Sequence, residues 1–262
     1  MSSAPVTWSI DARGVAEVVL SRPDRNNAYD DTLIAGLHQA MDALGAVSPL
    51  RVVMISGAGK HFQAGADLTW LERVRAGSHG ENVHASRETA RAVDRLNNLG
   101  VPTVALVQGF CVGGGTGLLA AADVVIAADT ARFAISEVRW GLTAAIIIPQ
   151  LNDAIGARQV RRYALTGERF DATEARRIGL VHEIVAEAEL RAAGERIVAA
   201  LLENGPVAIA ETKAAVLRHA FGAMSEPVLS GLVEEHALKR QSAEAAEGLA
   251  SFREKRSARW TG

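Results

Sequence analysis

The chain has 262 residues, 48% of them hydrophobic and 22% charged, which is enough for one large domain or for a core with a smaller appendage. Its 28 Lys and Arg residues nearly balance its 30 Asp and Glu residues, so the net charge of -2 does not favour a nucleic-acid-binding surface. The single cysteine, Cys111, cannot form an internal disulfide and lies in an apolar stretch, so we interpret it as a core residue.

Two segments, the N-terminus and one charge-free run, bear on whether the chain is a membrane or exported protein. The N-terminus "MSSAPVTWSI" lacks the basic start and continuous apolar stretch of a signal peptide, so we expect a soluble, cytoplasmic protein. The run from Leu96 to Ala122 carries no formal charge, but Pro102 and several glycines interrupt it. The run therefore predicts a buried strand, a tight turn and a buried helix, with no association with a membrane.

Strand and helix patterns alternate through about residue 135. Short β-branched runs that predict strands occur in "GVAEVVLSRPD", "LRVVMISGAG", "VPTVALVQG" and "DVVIAAD". Amphipathic helices are predicted in "DDTLIAGLHQAMDALGAV" and from residue 81 to residue 98. This alternation is typical of an α/β core whose sheet faces are covered by helices.

Beyond Gly141 the pattern changes to nearly continuous helix signals. Examples are "ATEARRIGL", "EAELRAAGERIVAALLENG" and "PVAIAETKAAVLRHAF". Apolar stripes on successive helices indicate packing against the core or against another subunit. We therefore divide the chain into a core at residues 1–195 and a C-terminal helical region at residues 196–262.

Two turns rich in small residues follow predicted strands. The first, in "GFCVGGGTGLL", opens a helix and would expose backbone N–H groups to an anion. It does not fit a dinucleotide fingerprint, because Leu118 occupies the final glycine position, and no lysine follows as a P-loop requires. The second turn is "GKHFQAGADL". Together the turns favour an oxyanion hole, which needs two donors.

Several segments of the chain carry motifs of one known family. They are "RPDRNNAY", "GKHFQAGADL", "VQGFCVGGGTGL", "ARFAISEVRWGL", "LTGERFDATEARRIGLVHEIV" and "EGLASFREKR". In order and spacing they resemble the enoyl-CoA hydratase/isomerase family, the crotonase superfamily, over nearly the whole chain. The resemblance implies an α/β fold with a crotonase-like ββα spiral core, a helical C-terminal trimerisation region, and a homotrimer or homohexamer.

The resemblance also implies a substrate and a set of contacts. The substrate would be an acyl-CoA thioester, so coenzyme A is part of the substrate and no separate cofactor is expected. By motif position, the N–H groups of Ala66 and Gly114 would bind the thioester oxygen and stabilise an enolate. Arg25 would reach a phosphate of CoA, and the terminal helix would close over the nucleotide of a neighbouring subunit. The implied substrate contacts are Arg25, Ala64, Asp67, Leu68, Gly113, Gly117, Phe252 and Lys255.

Only one of the two glutamates typical of the family's hydratases is present. The first lies three residues after the oxyanion glycine, where this chain has Gly117, and we expect that glycine to open space near the reacting carbons. The second matches Glu137 in "ISEVRWG". Its apolar neighbours predict a raised pKa, and we hypothesise that Glu137 takes a proton from water and later returns it to Cα.

The motifs "SEVRWGL" and "RRYALTGERFDA" resemble the branch that contains methylglutaconyl-CoA and isohexenylglutaconyl-CoA hydratases. The resemblance therefore favours syn hydration of a 2-enoyl-CoA of branched or glutaconyl type. A second substrate carboxylate would use the space at Gly117, with Arg139 or His61 as its counter-charge. For Arg139 we favour the interpretation as a surface residue over that of a counter-charge.

Other functions remain open at this stage. An enoyl-CoA isomerase needs only one carboxylate to move a proton, and a non-catalytic acyl-CoA-binding paralogue would keep the oxyanion turns. Decarboxylation and thioester hydrolysis are further alternatives on the same scaffold. The seven histidines show no metal-ligand spacing, so no metal is expected.

Overall fold

The computed structural model describes residues 4–220, 225–256 and 258. Its main sheet has six strands in the order β1-β2-β3-β4-β6-β9. β1 is antiparallel to β2, and all other neighbouring strands of this sheet are parallel. A smaller sheet has the order β5-β7-β8. The strands are β1 Val6–Ile10, β2 Val15–Leu20, β3 Val52–Gly57, β4 Thr103–Val107, β5 Phe110–Val112, β6 Val124–Ala128, β7 Arg132–Ala134, β8 Phe170–Asp171 and β9 Glu183–Val185.

Helices connect the strands and cover the sheet, as the alternating pattern predicts. α5 is interrupted at Gly156, whose φ of 74° lies in the left-handed region. Two short 3-10 helices, Glu137–Trp140 and Ala145–Ile147, connect β7 to α5. The α-helices are α1 Asp31–Gly45, α2 Leu68–Ala76, α3 His79–Asn97, α4 Gly114–Ala120, α5 Ile148–Thr166, α6 Ala172–Ile178, α7 Leu190–Leu202, α8 Pro206–His219, α9 Glu226–Arg240 and α10 Ala243–Arg253.

The main sheet separates two hydrophobic cores because successive side chains of a strand point to opposite faces. Along β3, Val53 and Ile55 belong to the larger core, whereas Val52 and Met54 belong to the smaller one. α7 covers the smaller core and contributes Leu190 among others. The continuously apolar strands are thus explained by a sheet buried on both faces.

The charge-free run folds as predicted, with one addition. It contains β4, the turn and α4, and also the short strand β5 just before the glycines. A further difference lies in the C-terminal half, where β9 interrupts the predicted helices and pairs with β6 to become the last strand of the main sheet. With only three residues, β9 is too short to show an alternating pattern.

The last two helices fold back on the core of their own chain. α9 packs against α3, and α10 packs against the 3-10 helix that begins at Glu137. The rings of Trp140 and Phe252 meet edge-to-face at 4.3 Å between centroids. A Cβ on Gly248 would lie 2.3 Å from the carbonyl oxygen of Trp140, so only glycine allows this approach. Assembly into trimers or hexamers stays a prediction.

We expect Gly248→Ala to destabilise the fold by about 1–3 kcal/mol, because overpacking at the Trp140 carbonyl displaces α10. Gly231→Ala in α9 is the matched control, since a Cβ there would meet nothing within 4 Å. The control should be neutral or stabilising by up to about 1 kcal/mol. Urea unfolding of both variants measures the difference, and equal stability of the two would contradict the close packing of α10.

Candidate active site

A cavity of about 360 Å³ lies between the two small-residue turns, with Glu137 on its wall. It brings together residues that are far apart in the sequence, including Ala66 and Gly114. Of the predicted substrate contacts, it is lined by Ala64, Leu68, Gly113 and Phe252. The predicted contacts that do not line it are Arg25, Asp67, Gly117 and Lys255.

The backbone on both sides of Ala66 is held so that its own N–H stays unpaired. The carbonyl of Gly65 accepts hydrogen bonds from the N–H of Tyr29 at 2.9 Å and from Nε2 of Gln63 at 3.0 Å. In a trans peptide the C=O and the following N–H point in opposite directions. Anchoring the Gly65 carbonyl therefore turns the N–H of Ala66 away from both donors, and no described residue accepts from it.

Gly114 is arranged in the same way at the start of α4. The preceding carbonyl, on Gly113, accepts from both the N–H and the hydroxyl of Thr116, at 2.9 and 2.7 Å. The φ of 55° at Gly113 permits this turn, which a residue with a Cβ would strain. The N–H of Gly114 has no acceptor among the described residues, so it is available to a ligand at the helix N-terminus.

Gln63 fixes the two turns relative to each other. Its backbone bridges to the strand β5, donating to Phe110 and accepting from Val112. Its side chain is buried and accepts the N–H of Gly65 at 2.9 Å. A Cβ on Gly115 would lie 2.4 Å from Oε1 of Gln63, so the glycine triplet lets the turns approach closely. The sequence pattern does not reveal this role of the glutamine.

Glu137 is placed for proton transfer. Its Oε2 is buried without a hydrogen-bond partner among the described residues. Its Oε1 lies beside Gly113, next to the oxyanion position, since a Cβ added to Gly113 would be 3.4 Å from it. Burial raises the pKa of Glu137 to about 7, although backbone N–H groups of Ser136 and Glu137 partly oppose this. A carboxyl group with this pKa exchanges protons readily near neutral pH. It is the only acidic residue among the described residues that line the cavity.

Tyr29 is a cavity residue that the motif analysis did not single out. Its ring contacts the glycine turn, because a Cβ on Gly114 would lie 2.7 Å from Cε1 of Tyr29. Burial, with a smaller contribution from Glu137, raises the pKa of the Tyr29 hydroxyl, so the group is a neutral donor. Its place at the end of "RPDRNNAY" is the only signal that could have found it.

The expected open space beside Gly117 is filled by another side chain. A Cβ at Gly117 would lie 2.4 Å from Cγ2 of Ile147, and Gly117 itself is buried away from the cavity. The side chain of Ile147 therefore fills the position where the resemblance places the first glutamate. The expectation that a second substrate carboxylate uses this space is wrong for this structure.

The two residues considered as counter-charges, His61 and Arg139, lie in different surroundings. Nδ1 of His61 accepts the N–H of Phe110 at 3.0 Å, and the ring is buried outside the cavity. His61 is thus a structural brace of the turn at Gly109. Arg139 is exposed, as its interpretation as a surface residue predicts, and it also lines the cavity.

Three predicted substrate contacts have other structural surroundings. The carboxylate of Asp67 caps α2 by accepting the N–H groups of Thr69 and Trp70 at 3.0 and 3.2 Å. Arg25 and Lys255 are exposed outside the cavity. Their contact with CoA stays a prediction.

A larger groove, of about 1140 Å³, runs along α1 and α3 but contains neither small-residue turn. It is lined by side chains that are mostly charged or polar, such as Arg91 and Glu88. Neither oxyanion turn lines this groove, and neither does Glu137. The smaller cavity, which has both, is therefore the candidate active site. No helix of the described part of the chain is long and apolar enough to cross a membrane.

Comparison with known proteins decides the family. The profile of the family "Enoyl-CoA hydratase/isomerase" matches residues 11–262. The chain belongs to the enoyl-CoA hydratase/isomerase family. Hydroxycinnamoyl-CoA hydratase-lyase of Pseudomonas fluorescens is 34% identical over 203 residues, covering 76% of this chain and 74% of that protein. The mitochondrial Delta(3,5)-Delta(2,4)-dienoyl-CoA isomerase of Dictyostelium discoideum is 28% identical over 256 residues, covering 94% and 87%.

Solved structures agree with the fold. An enoyl-CoA hydratase from Shewanella pealeana is 36% identical, with a TM-score of 0.79 over 98% of this chain and 96% of that chain. The α/β crotonase fold expected from the motifs is thus confirmed. In an enzyme of the enoyl-CoA hydratase/isomerase family, whose substrates are acyl-CoA thioesters, paired N–H donors and an adjacent carboxyl group suit enolate chemistry.

The raised pKa of Glu137 predicts a pH-dependent effect of Glu137→Gln on stability. The folded pKa, about 7, exceeds the ordinary value, so the folded state holds the proton more tightly than the unfolded state does. The wild type therefore loses stability as pH rises from about 4.5 through 7, because an ionised carboxylate must stay buried.

We expect the thermal midpoint of Glu137→Gln, relative to wild type, to rise by a few degrees between pH 5 and pH 8. Circular dichroism melts at both pH values measure this. Glu203→Gln, at an exposed position, is the control and should show no such trend. An equal difference at both pH values would show that Glu137 has an ordinary pKa.

Proposed function

We propose that the protein hydrates a 2-enoyl-CoA thioester, and that Glu137 takes a proton from water and then gives it to Cα. The observation that supports this most is the position of Glu137 next to Gly113, adjoining the unpaired N–H of Gly114. The thioester oxygen accepts from the N–H groups of Ala66 and Gly114, which draws electrons from Cβ. Binding is tighter as the enolate forms, so the donors act mainly on the transition state.

The reaction has two steps in this proposal. Water adds through its oxygen to Cβ while the carboxylate of Glu137 takes one proton from it, and the electron pair of the double bond moves to the thioester oxygen as an enolate. The protonated Glu137 then gives that proton to Cα, on the face where water was added, and the enolate returns to a thioester. One water is consumed, Glu137 is regenerated, and the addition is syn.

An isomerase is the second candidate function, because Glu137 is the only acid among the described cavity residues. One carboxylate suffices to take a proton from Cα of a 3-enoyl thioester and return it to Cγ, through a dienolate whose oxygen binds the same two N–H donors. The two activities differ in the mass of the product, since only hydration adds a water. A non-catalytic acyl-CoA-binding role would leave all thioesters unchanged.

Further parts of the proposal concern the rest of the substrate and the assembly. The acyl group is of branched or glutaconyl type, and CoA is contacted by Arg25, Phe252 and Lys255. The enzyme acts in the cytoplasm as a homotrimer or homohexamer. Support comes from the family membership and from the position of Phe252 at the cavity, where its ring is 44% exposed.

Turnover of an acyl-CoA panel, read by mass, tests the proposed reaction. The panel contains crotonyl-, 3-methylcrotonyl- and 3-methylglutaconyl-CoA and one 3-enoyl thioester. We expect the wild type to add one water to a 2-enoyl thioester, and Glu137→Gln to lose at least about 100-fold in kcat with acyl-CoA binding nearly intact. Glu203→Gln should match the wild type.

The pH dependence of kcat/KM is a second test of the role of Glu137. Because the base is the ionised form of Glu137, kcat/KM for hydration should rise with pH through about 7. Product of unchanged mass from the 3-enoyl thioester alone would move the assignment to isomerase. Undiminished turnover in Glu137→Gln would remove Glu137 from the mechanism.

A further inference from the structure

A buried guanidinium group lies behind the candidate active site without a carboxylate partner. Arg240, at the end of α9, is only 1% exposed. Its Nη2 donates to the carbonyl of Asn82 at 2.9 Å and to the hydroxyl of Ser86, while Nε and Nη1 have no hydrogen-bond partner among the described residues. Its guanidinium lies 5.6 Å from the ring centroid of Trp70. Buried charges are normally paired, so this one is unusual.

The hydroxyl of Ser86 lies between Arg240 and a histidine and contacts both. Oγ of Ser86 lies 3.0 Å from Nδ1 of His236, one helical turn before Arg240 on α9. Arginine can only donate, so Oγ accepts from Arg240. No other described acceptor contacts the Ser86 hydroxyl, so we assign its single proton to the contact with Nδ1 of His236. In this assignment Nδ1 accepts, and the ring proton of His236 is on Nε2.

His236 lines the active-site cavity together with Tyr29 and Glu137. Because Ser86 engages Nδ1, Nε2–H is the ring group left to bind a ligand. Burial, with a further contribution from Arg240, lowers the pKa of His236 to about 3, so the ring is neutral at physiological pH. The ring is thus a fixed hydrogen-bond donor, whereas the positive charge remains on Arg240 behind it.

We propose that His236 binds a carboxylate at the end of the substrate acyl group, with Nε2–H as donor and the buried charge of Arg240 as counter-charge. A neutral N–H donor alone would bind any acceptor oxygen, whereas an uncompensated cation in a low-dielectric interior favours an anion. Arg139 and Arg169 also line the cavity, but both are exposed and their charges are screened by water. The inference rests on the proposed function for the thioester and specifies its substrate class.

Binding of two saturated thioesters tests this without requiring turnover. Glutaryl-CoA and pentanoyl-CoA have acyl chains of equal carbon number and differ at the terminal carboxylate. By calorimetry we expect the wild type to bind glutaryl-CoA about 10- to 100-fold more tightly, the range for a hydrogen bond to a charged group. His236→Leu should abolish the preference, and His236→Gln, which keeps an amide donor, should retain part of it.

The matched control is His79→Leu, because His79 is an exposed histidine that pairs with Glu234 at 2.8 Å outside the cavity. It should keep the wild-type preference. A wild type without preference for glutaryl-CoA, or a His236→Leu variant that keeps it, would overturn the inference. Turnover of the matching 2-enoyl thioesters is measured separately. Failure of hydration with the preference intact would refute only the proposed reaction.

Ring ¹⁵N NMR of histidine gives a readout that a merely structural role would not move. In the wild type we expect the signal of His236 to show a protonated Nε2 and an unprotonated Nδ1 from pH 5 to pH 8. Ser86→Ala should release the tautomer and weaken glutaryl-CoA binding while leaving pentanoyl-CoA binding unchanged. A wild-type ring protonated on Nδ1 would refute the relay from Arg240, even if all variants fold.

Discussion

The orientation of two peptide groups is the constraint on which the active site depends. In each case the carbonyl that precedes the unpaired N–H is held by two donors, one of them a side chain: Gln63 for Gly65 and Thr116 for Gly113. Rotation of either peptide would turn a carbonyl towards the substrate oxygen and replace attraction by repulsion. The β5 strand and Gln63 keep the two peptides at a fixed separation, so the donors require little reorganisation during reaction.

The same packing that builds this site sets the chemistry of Glu137. α10 packs against the 3-10 helix that carries Glu137, and Gly248 approaches the carbonyl group of Trp140 closely. Burial then raises the pKa of the carboxyl group into the range useful for proton transfer. The C-terminal helices thus shape the active site of their own chain.

Local sequence patterns predict those parts of the site that depend on backbone geometry. The glycines and alanines around Ala66 and Gly114 predict that the backbone there can approach a ligand closely. The apolar neighbours of Glu137 predict the burial of its carboxyl group. Parts that depend on side chains meeting across the fold have no local pattern. The ring of His236 reaches the cavity only because α9 packs on α3, and its link to Arg240 passes through Ser86 on that helix.

Gly117 illustrates the limit most clearly. A glycine in place of a catalytic acid suggests space, but Ile147, thirty residues later, occupies it. The strand β9 was missed for a different reason, because three residues are stabilised by pairing with β6 and not by a pattern of their own. The fold class could therefore be predicted from the sequence, whereas the volume inside the cavity could not.

The most direct test of the account is the stretching frequency of the thioester carbonyl in a bound acyl-CoA. Isotope-edited infrared difference spectroscopy with a ¹³C-labelled carbonyl resolves this band from the protein background. If the N–H groups of Ala66 and Gly114 both donate to the oxygen, the band of the bound thioester lies at a lower frequency than the band of the same thioester in water. A band at or above its frequency in water would contradict the oxyanion hole, and with it the enolate chemistry proposed for this site.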